Sequence, residues 1–139
     1  MKVRVLLADD HAVTRYGLHA LLETHGYEIA GEASEGREAV RLALQYKPHI
    51  ALMDITMPGL DGLLATQRLR KEKCRTKIIL LSDYDDADFI AAAFSSGADC
   101  YVAKSRLSMD LDPAIRVALQ GSHFISKSDG IAELSNAKV

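Results

Sequence analysis

Short apolar segments alternate with longer amphipathic segments along most of the chain. Near-continuous apolar runs of strand length are typical of strands that are buried on both faces of a parallel sheet. The strand–helix alternation occurs five times and predicts an α/β fold, with a parallel sheet covered by helices on both faces. The predicted strands span residues 3–8, 27–33, 50–54, 77–81 and 100–103.

Apolar spacing and capping residues predict the first two helices. Val13, Tyr16, Ala20 and Leu21 fall at i, i+3, i+7 and i+8, which is one face of a helix. The second helix is predicted to begin at Ser34 as the N-cap and to end at a Lys-Pro pair. Its inner face is predicted to contain Ala39, Ala43 and Tyr46.

Three further helices follow in the pattern. Two are predicted over about residues 61–72 and 86–96, and the second of these is followed by Gly97 as a stop signal. The fifth is indicated by apolar residues at i, i+4 and i+8, which are Leu111, Ile115 and Leu119. Pro113 fits its first turn, and Gly121 is predicted to close it.

Residues 122–139 are polar and weakly patterned. They are predicted to form a linker or C-terminal tail outside the core. Residues 1–121 are then predicted to form one domain.

Composition and charge narrow the class of protein. The chain has 139 residues, of which 48% are hydrophobic and 26% charged, as in an ordinary globular domain. Its net charge of −2 gives no general attraction to nucleic acid or to an anionic membrane. No apolar run approaches the roughly 20 residues that span a bilayer. Cys74 and Cys100 have no metal-binding or redox spacing, so we expect reduced thiols in a cytoplasmic protein.

Polar residues follow four of the predicted strands. They are Asp9 and Asp10, Asp54, Ser82 and Lys104. Because the carboxyl ends of parallel strands share one edge, these side chains are predicted to meet there. Crowded carboxylates repel one another unless a cation is present, and oxygen ligands favour Mg²⁺. A lysine and a hydroxyl beside that cation suit a phosphoryl group, which an aspartate can accept covalently.

Each of these residues also has a simpler interpretation. An Asp-Asp pair after a strand most often caps a helix, and Asp54 could merely begin the turn at Pro58 and Gly59. Ser82 alone is typical of a loop, and Lys104 alone is typical of a solvated surface. Their occurrence at successive strand ends favours one shared site over separate roles.

These motifs resemble the receiver domain of two-component response regulators over about residues 2–121. The resemblance implies a flavodoxin-like (βα)5 fold with five parallel strands in the order 2-1-3-4-5. It implies that Asp54 is the phosphoacceptor. It also implies that Asp10 binds Mg²⁺ directly, that Asp9 acts largely through water, and that Thr56 offers its backbone carbonyl to the metal.

The same resemblance implies a switch rather than a turnover enzyme. A sensor histidine kinase or a phosphotransfer protein would supply the phosphoryl group, which adds about −1.5 to −2 charge at Asp54. Lys104 and Ser82 would bind that group, and Tyr101 would turn inward as Ser82 moves. The face made by helix 4, strand 5 and helix 5 would then change. A homodimer could form through that face or through the region of helices 1 and 5.

Two positions depart from the receiver pattern. Ser105 follows Lys104 where proline with a cis bond is common. A non-proline cis bond costs about 2.5–4 kcal/mol, so a trans bond is predicted. Asp83 follows Ser82 where a small residue is common, and it begins an acidic loop with Asp85, Asp86 and Asp88. That charge either slows phosphoryl transfer or caps the fourth helix.

Residues 120–126 are similar to the end of the receiver in NarL/FixJ-type regulators, in which a helix-turn-helix domain follows. The residues after Gly121 are too few to hold such a domain. We therefore expect an excised or a stand-alone receiver, with control of transcription and DNA contact only through an output domain absent from this chain.

Three other classes of protein share part of this pattern. A haloacid-dehalogenase-like phosphatase also uses an aspartate, Mg²⁺ and a lysine, but it expects an acid two residues after the nucleophile, where this chain has Thr56. A phosphorylation-independent interaction module is disfavoured by the complete set of site residues. A nucleotide-binding Rossmann domain is disfavoured because no glycine-rich loop follows the first strand.

Overall fold

Five strand–helix units form the body of the molecule, and two further strands follow. The computed structural model describes the backbone of residues 2–136 and the side chains of residues 2–131. The strands are β1 (Arg4–Ala8), β2 (Glu28–Ala33), β3 (Ile50–Asp54), β4 (Lys77–Ser82), β5 (Cys100–Ala103), β6 (Ser122–Lys127) and β7 (Gly130–Asn136). The helices are α1 (Ala12–Thr24), α2 (Gly36–Tyr46), α3 (Gly62–Lys71), α4 (Ala87–Ser96) and α5 (Leu107–Leu119), with a 3-10 turn at Lys104–Arg106.

The strands form one sheet in the order β2-β1-β3-β4-β5-β6-β7. All neighbouring pairs are parallel except β6 and β7. The predicted α/β fold with a parallel core in the order 2-1-3-4-5 is confirmed. Register aligns the carboxyl ends of the inner strands, with Ala8 beside Met53, Asp54 beside Leu81 and Ser82 beside Ala103.

Alternate residues of each inner strand point to opposite faces of the sheet, so the sheet has a core on each side. Leu6 and Met53 pack with α2, α3 and α4 on one side, and Val5 and Leu52 pack with α1 and α5 on the other. Both cysteines are free. Within the described part of the chain, no helix is long and apolar enough to cross a membrane.

The prediction that the chain leaves the core at Ser122 is wrong. β6 pairs in parallel with β5, and the Phe124 side chain is buried in the core on the α5 side. β7 folds back on β6 as a hairpin. The sequence did not predict β6 because the segment Ser122–Lys127 has neither a continuous apolar run nor a regular alternation of polar and apolar residues, although Asp129-Gly130 is a hairpin signal.

The apolar face predicted for α1 packs only in part, since Leu21 contacts the core but the N-terminal residues of that face do not. Val13 is 86% exposed and Tyr16 is 81% exposed, whereas Leu18 and Leu22 are buried. Both sets satisfy helical spacing. The helix packs on the sheet through its C-terminal half, so Leu18 and Leu22 form its buried face.

Three local predictions also need correction. The N-cap of α2 is Glu35, not Ser34, and its carboxylate accepts hydrogen bonds from two backbone N–H groups of the first turn. Tyr46, predicted to face inward, is exposed. Pro113 lies inside α5, because that helix already begins at Leu107.

Candidate functional site

Asp54 is the last residue of β3, a strand that is buried along its whole length. Its carboxylate is held by two groups. Oδ1 accepts a hydrogen bond from the Thr56 backbone N–H at 3.1 Å, and Oδ2 accepts one from the Lys104 ammonium at 2.8 Å. Burial raises the pKa of Asp54, and the bond to Lys104 opposes that rise. A carboxylate that is desolvated but kept charged by a cation is suited to act as a nucleophile.

Asp9 directly follows β1, the strand beside β3, and lies at the same edge of the sheet as Asp54. Its side chain is fully buried, with Oδ1 accepting a bond from the His11 backbone N–H at 2.8 Å. Its Oδ2 lies 3.1 Å from the Lys104 Nζ. Arg15 donates to the Asp9 backbone carbonyl at 2.6 Å. These contacts fix the Asp9 carboxylate toward the ammonium that also binds Asp54.

Lys104 bridges the two acids. It follows β5 directly, and its ammonium pairs with both carboxylates while its side chain is largely buried. Burial lowers the pKa of Lys104, but the bonds and charges of Asp54 and Asp9 outweigh that effect and raise it. The described part of the chain contains no cis peptide bond, so the bond to Ser105 is trans, as predicted.

The acids at this rim form a cluster with the donor chemistry of a hard cation. Asp9, Asp10, His11 and Asp54 each place one ligand atom within 4.8 Å of the others. Three of these ligands are carboxylates, which fits Mg²⁺ better than a soft metal. Asp10 is exposed toward solvent, and the Asp9 carboxylate is buried with the bridging lysine. Thr56 lies two residues beyond Asp54, at the same end of β3.

Ser82 and Tyr101 lie on the strands beyond Asp54. Ser82 is buried at the end of β4, where its Oγ accepts a hydrogen bond from the Tyr84 backbone N–H at 2.9 Å. Tyr101 lies in β5 with 0% exposure, so its ring is turned inward in this structure. Burial raises the pKa of the Tyr101 hydroxyl.

The aspartates of the acidic loop after Ser82 make different contacts. Asp83 is exposed and does not cap α4. The N-cap is Asp86, whose carboxylate accepts from the Phe89 backbone N–H at 2.9 Å. Asp85 binds Ser128 in the turn between β6 and β7. This contact was not predicted, because the two residues are far apart in sequence and no local motif marks it.

The contacts of His11 were also not predicted from the sequence. Its Nδ1 lies 3.1 Å from an Asp10 carboxylate oxygen and 3.5 Å from one of Asp9. The signal was present in the sequence, since His11 directly follows the acidic pair. The His11 backbone N–H is the atom that fixes Asp9.

Comparison with known proteins agrees with this geometry. The family model of the response regulator receiver domain matches residues 5–116. Curated relatives include the transcriptional regulatory protein LiaR of Bacillus subtilis, which is 42% identical over 86% of this chain and 57% of its own length. PdtaR of Mycobacterium tuberculosis is 38% identical over 95% of this chain and 64% of its own length. The chain thus spans about three fifths of the length of these relatives.

Solved structures show the same likeness. A LuxR-family two-component response regulator from Aurantimonas has a TM-score of 0.85 at 34% identity, covering 93% of this chain and 92% of that one. The signal receiver domain of the response regulator NarL from Mycobacterium tuberculosis has a TM-score of 0.83 at 30% identity, covering 86% and 98%. This chain therefore belongs to the response regulator receiver domains of two-component systems, and its relatives place it with the NarL/FixJ type.

Proposed function

We propose that this chain accepts a phosphoryl group on Asp54 from a sensor histidine kinase or phosphotransfer protein, in a reaction that needs Mg²⁺. The observation that carries the proposal is the Lys104 ammonium, which lies 2.8 Å from Asp54 and 3.1 Å from Asp9 in a largely buried setting. A buried cation between two acids is placed where the charge of a bound phosphoryl group would develop.

The transfer conserves atoms and charge. An oxygen of the Asp54 carboxylate forms a bond to phosphorus, while the bond from phosphorus to the donor nitrogen or oxygen breaks. The electron pair of that bond leaves with the donor. Asp9, Asp10, Asp54 and the Thr56 carbonyl would hold Mg²⁺, which would supply positive charge beside the phosphoryl oxygens. Lys104 supplies the second positive charge, and the Thr56 backbone N–H keeps the Asp54 carboxylate oriented.

The output follows from the residues on the next two strands. The Ser82 hydroxyl can exchange its bond with the Tyr84 backbone N–H for a bond to the phosphoryl group. That exchange moves the loop before α4 and favours the inward position of Tyr101. LiaR and PdtaR are transcriptional regulators by name, which supports control of transcription as the output. DNA would be contacted through a domain outside this chain.

The test is intact mass after incubation with acetyl phosphate and Mg²⁺. We expect the parent to gain one phosphoryl group and Asp54→Asn to gain none, because the variant has no carboxylate to attack phosphorus. Asp88→Asn, an exposed acid in the first turn of α4, serves as the matched control and should label like the parent. Labelling of Asp54→Asn would move the acceptor elsewhere. Turnover of many phosphates per protein, rather than one, would favour the phosphatase.

A smaller effect is expected at Asp83. Its exposed carboxylate follows Ser82, and the described contacts give it no cation to neutralise it. We expect Asp83→Ala to speed labelling by acetyl phosphate about twofold to threefold at low ionic strength, because an anionic donor is repelled less, and 0.5 M salt should abolish the difference. Asp88→Ala is the control for loss of one acid nearby. Equal rates for Asp83→Ala and the parent at low salt would show that Asp83 does not hinder transfer.

A further inference from the structure

The outer edge of β5 is occupied by the chain's own β6 strand. Cys100 pairs with Phe124 and Tyr101 pairs with Ile125 in this register. On the α4 side, the His123 ring packs edge-on against Phe94 at 5.3 Å between centroids, and its Nδ1 lies 2.8 Å from the Asp99 carbonyl. β6 therefore lies along β5, in contact with both α4 and α5, on the face expected to carry the output.

β6 also encloses the switch tyrosine. Tyr101 has β4 on one side and β6 on the other, and its side chain is fully buried. Ile125, its register partner in a parallel pair, projects on the same side of the sheet. A Tyr101 ring that turned toward the outer edge of β5 would enter the space that β6 fills. Docking of β6 and the outward position of Tyr101 therefore exclude each other.

A second contact joins the hairpin to the loop that begins at Ser82. One carboxylate oxygen of Asp85 accepts two hydrogen bonds from Ser128, from its backbone N–H at 2.7 Å and from its Oγ at 2.6 Å. These bonds lower the pKa of Asp85, so the carboxylate is charged at neutral pH. The turn of the hairpin is thereby tied to the segment that would move when Ser82 turns to a phosphoryl group.

We propose that the β6–β7 hairpin is a built-in reader of the phosphorylation site, which docks more tightly on β5 when Asp54 carries a phosphoryl group. The coupling runs through the inward Tyr101 beneath Ile125 and through the Asp85–Ser128 contact. The α4–β5–α5 face then binds a segment of its own chain, which leads on toward the C-terminus. The inference rests on the proposed function of Asp54.

The sign of the coupling follows from linkage. A ligand shifts an equilibrium only by its different affinity for the two states. If a phosphoryl group favours the inward Tyr101, and a docked hairpin requires it, each must strengthen the other by the same factor.

Hydrogen–deuterium exchange of the full chain tests this, with beryllium fluoride and Mg²⁺ as the phosphoryl analogue. We expect exchange of the β6 amides to slow by about fivefold on addition of the analogue, at the low end of typical couplings. Amides of β1 serve as an internal reference. Binding is measured separately, by the ¹⁹F NMR signal of the bound fluoride.

Substitutions at Asp85 and Ser128 test whether their contact carries the coupling. Asp85→Ala removes both bonds, and we expect β6 exchange to be about tenfold faster without ligand and the response to the analogue to fall below about twofold. Ser128→Ala keeps the backbone bond and should have a smaller effect. Ser95→Ala, an exposed serine of α4, is the matched control and should behave like the parent.

The outcomes separate the two proposals. No bound-fluoride signal overturns the proposed function and this inference with it. A bound signal with unchanged or faster β6 exchange overturns the inference alone. A normal response in Asp85→Ala overturns the role of the Asp85–Ser128 contact in the coupling.

Discussion

Replacing Lys104 with alanine is expected to slow labelling of Asp54 by acetyl phosphate about a hundredfold to a thousandfold, the loss typical of removing one preorganised charge-stabilising donor. Among the described residues, the Lys104 side chain is the cation in contact with Asp54. Its charge is largely removed from water, so solvent cannot replace it in the transition state. Initial rates of mass gain at fixed Mg²⁺ measure the effect.

The same substitution should change stability in a way that depends on the metal. Without Lys104, the buried Asp9 and Asp54 carboxylates repel each other and lose their shared partner. We expect a lower midpoint of urea unfolding for Lys104→Ala without Mg²⁺, and a larger gain from added Mg²⁺ than in the parent.

Two controls frame the result for Lys104. Lys71→Ala removes an exposed lysine at the end of α3 and should label at the parental rate. Lys104→Arg keeps the charge but not the geometry, and an intermediate rate is expected. A Lys104→Ala rate within threefold of the parent would show that the bridging ammonium is not what stabilises the transferring phosphoryl group.

The convergence of Asp9, Asp54 and Lys104 was predictable from sequence because each residue's place is set by the end of a strand. Asp54 and Lys104 each stand at the end of a short apolar run, and parallel strands bring such ends to one rim. The strand order itself came from the resemblance, since alternation alone does not fix which strands are neighbours.

The features that were not predicted depend on contacts that no local sequence pattern encodes. The Asp85–Ser128 contact joins residues from separate elements, and β6 is held as a strand by pairing both with the edge of β5 and with β7. On α1, the helical period fitted the exposed Val13 and Tyr16 as well as the buried leucines, so only packing could decide. At α2, Ser34 and Glu35 are both possible acceptors one residue apart, and sequence does not resolve such boundaries.

Two glycines hold the loop after Asp54 closely against the rest of the fold. A β-carbon added at Gly36 would lie 1.7 Å from the Leu60 carbonyl oxygen, and one added at Gly62 would lie 2.4 Å from the carbonyl oxygen of Asp54. Both contacts are with backbone, which cannot move aside as a flexible side chain can. The Gly62 N–H also donates to the Ile55 carbonyl at 2.7 Å, so the loop is closed tightly around this position.

We expect Gly36→Ala and Gly62→Ala each to lower the free energy of unfolding by about 3 kcal/mol or more, at or above the usual range for overpacking, because backbone must shift. Gly17→Ala is the matched control. A β-carbon there meets nothing within 4 Å, and the residue lies inside α1. Alanine should stabilise that helix by about 0.5–1 kcal/mol. Urea unfolding of the three variants measures the contrast.

Gly62→Ala should have a second effect that Gly36→Ala does not share to the same degree. Its β-carbon presses directly on the Asp54 carbonyl, so the backbone that orients the acceptor must move. At a temperature where both variants are folded, we expect Gly62→Ala to label more slowly than Gly36→Ala, since a small misplacement of a reacting group is costly. Equal stability of all three alanine variants would mean that the loop gives way freely. It could not then be the rigid support that holds Asp54 in place.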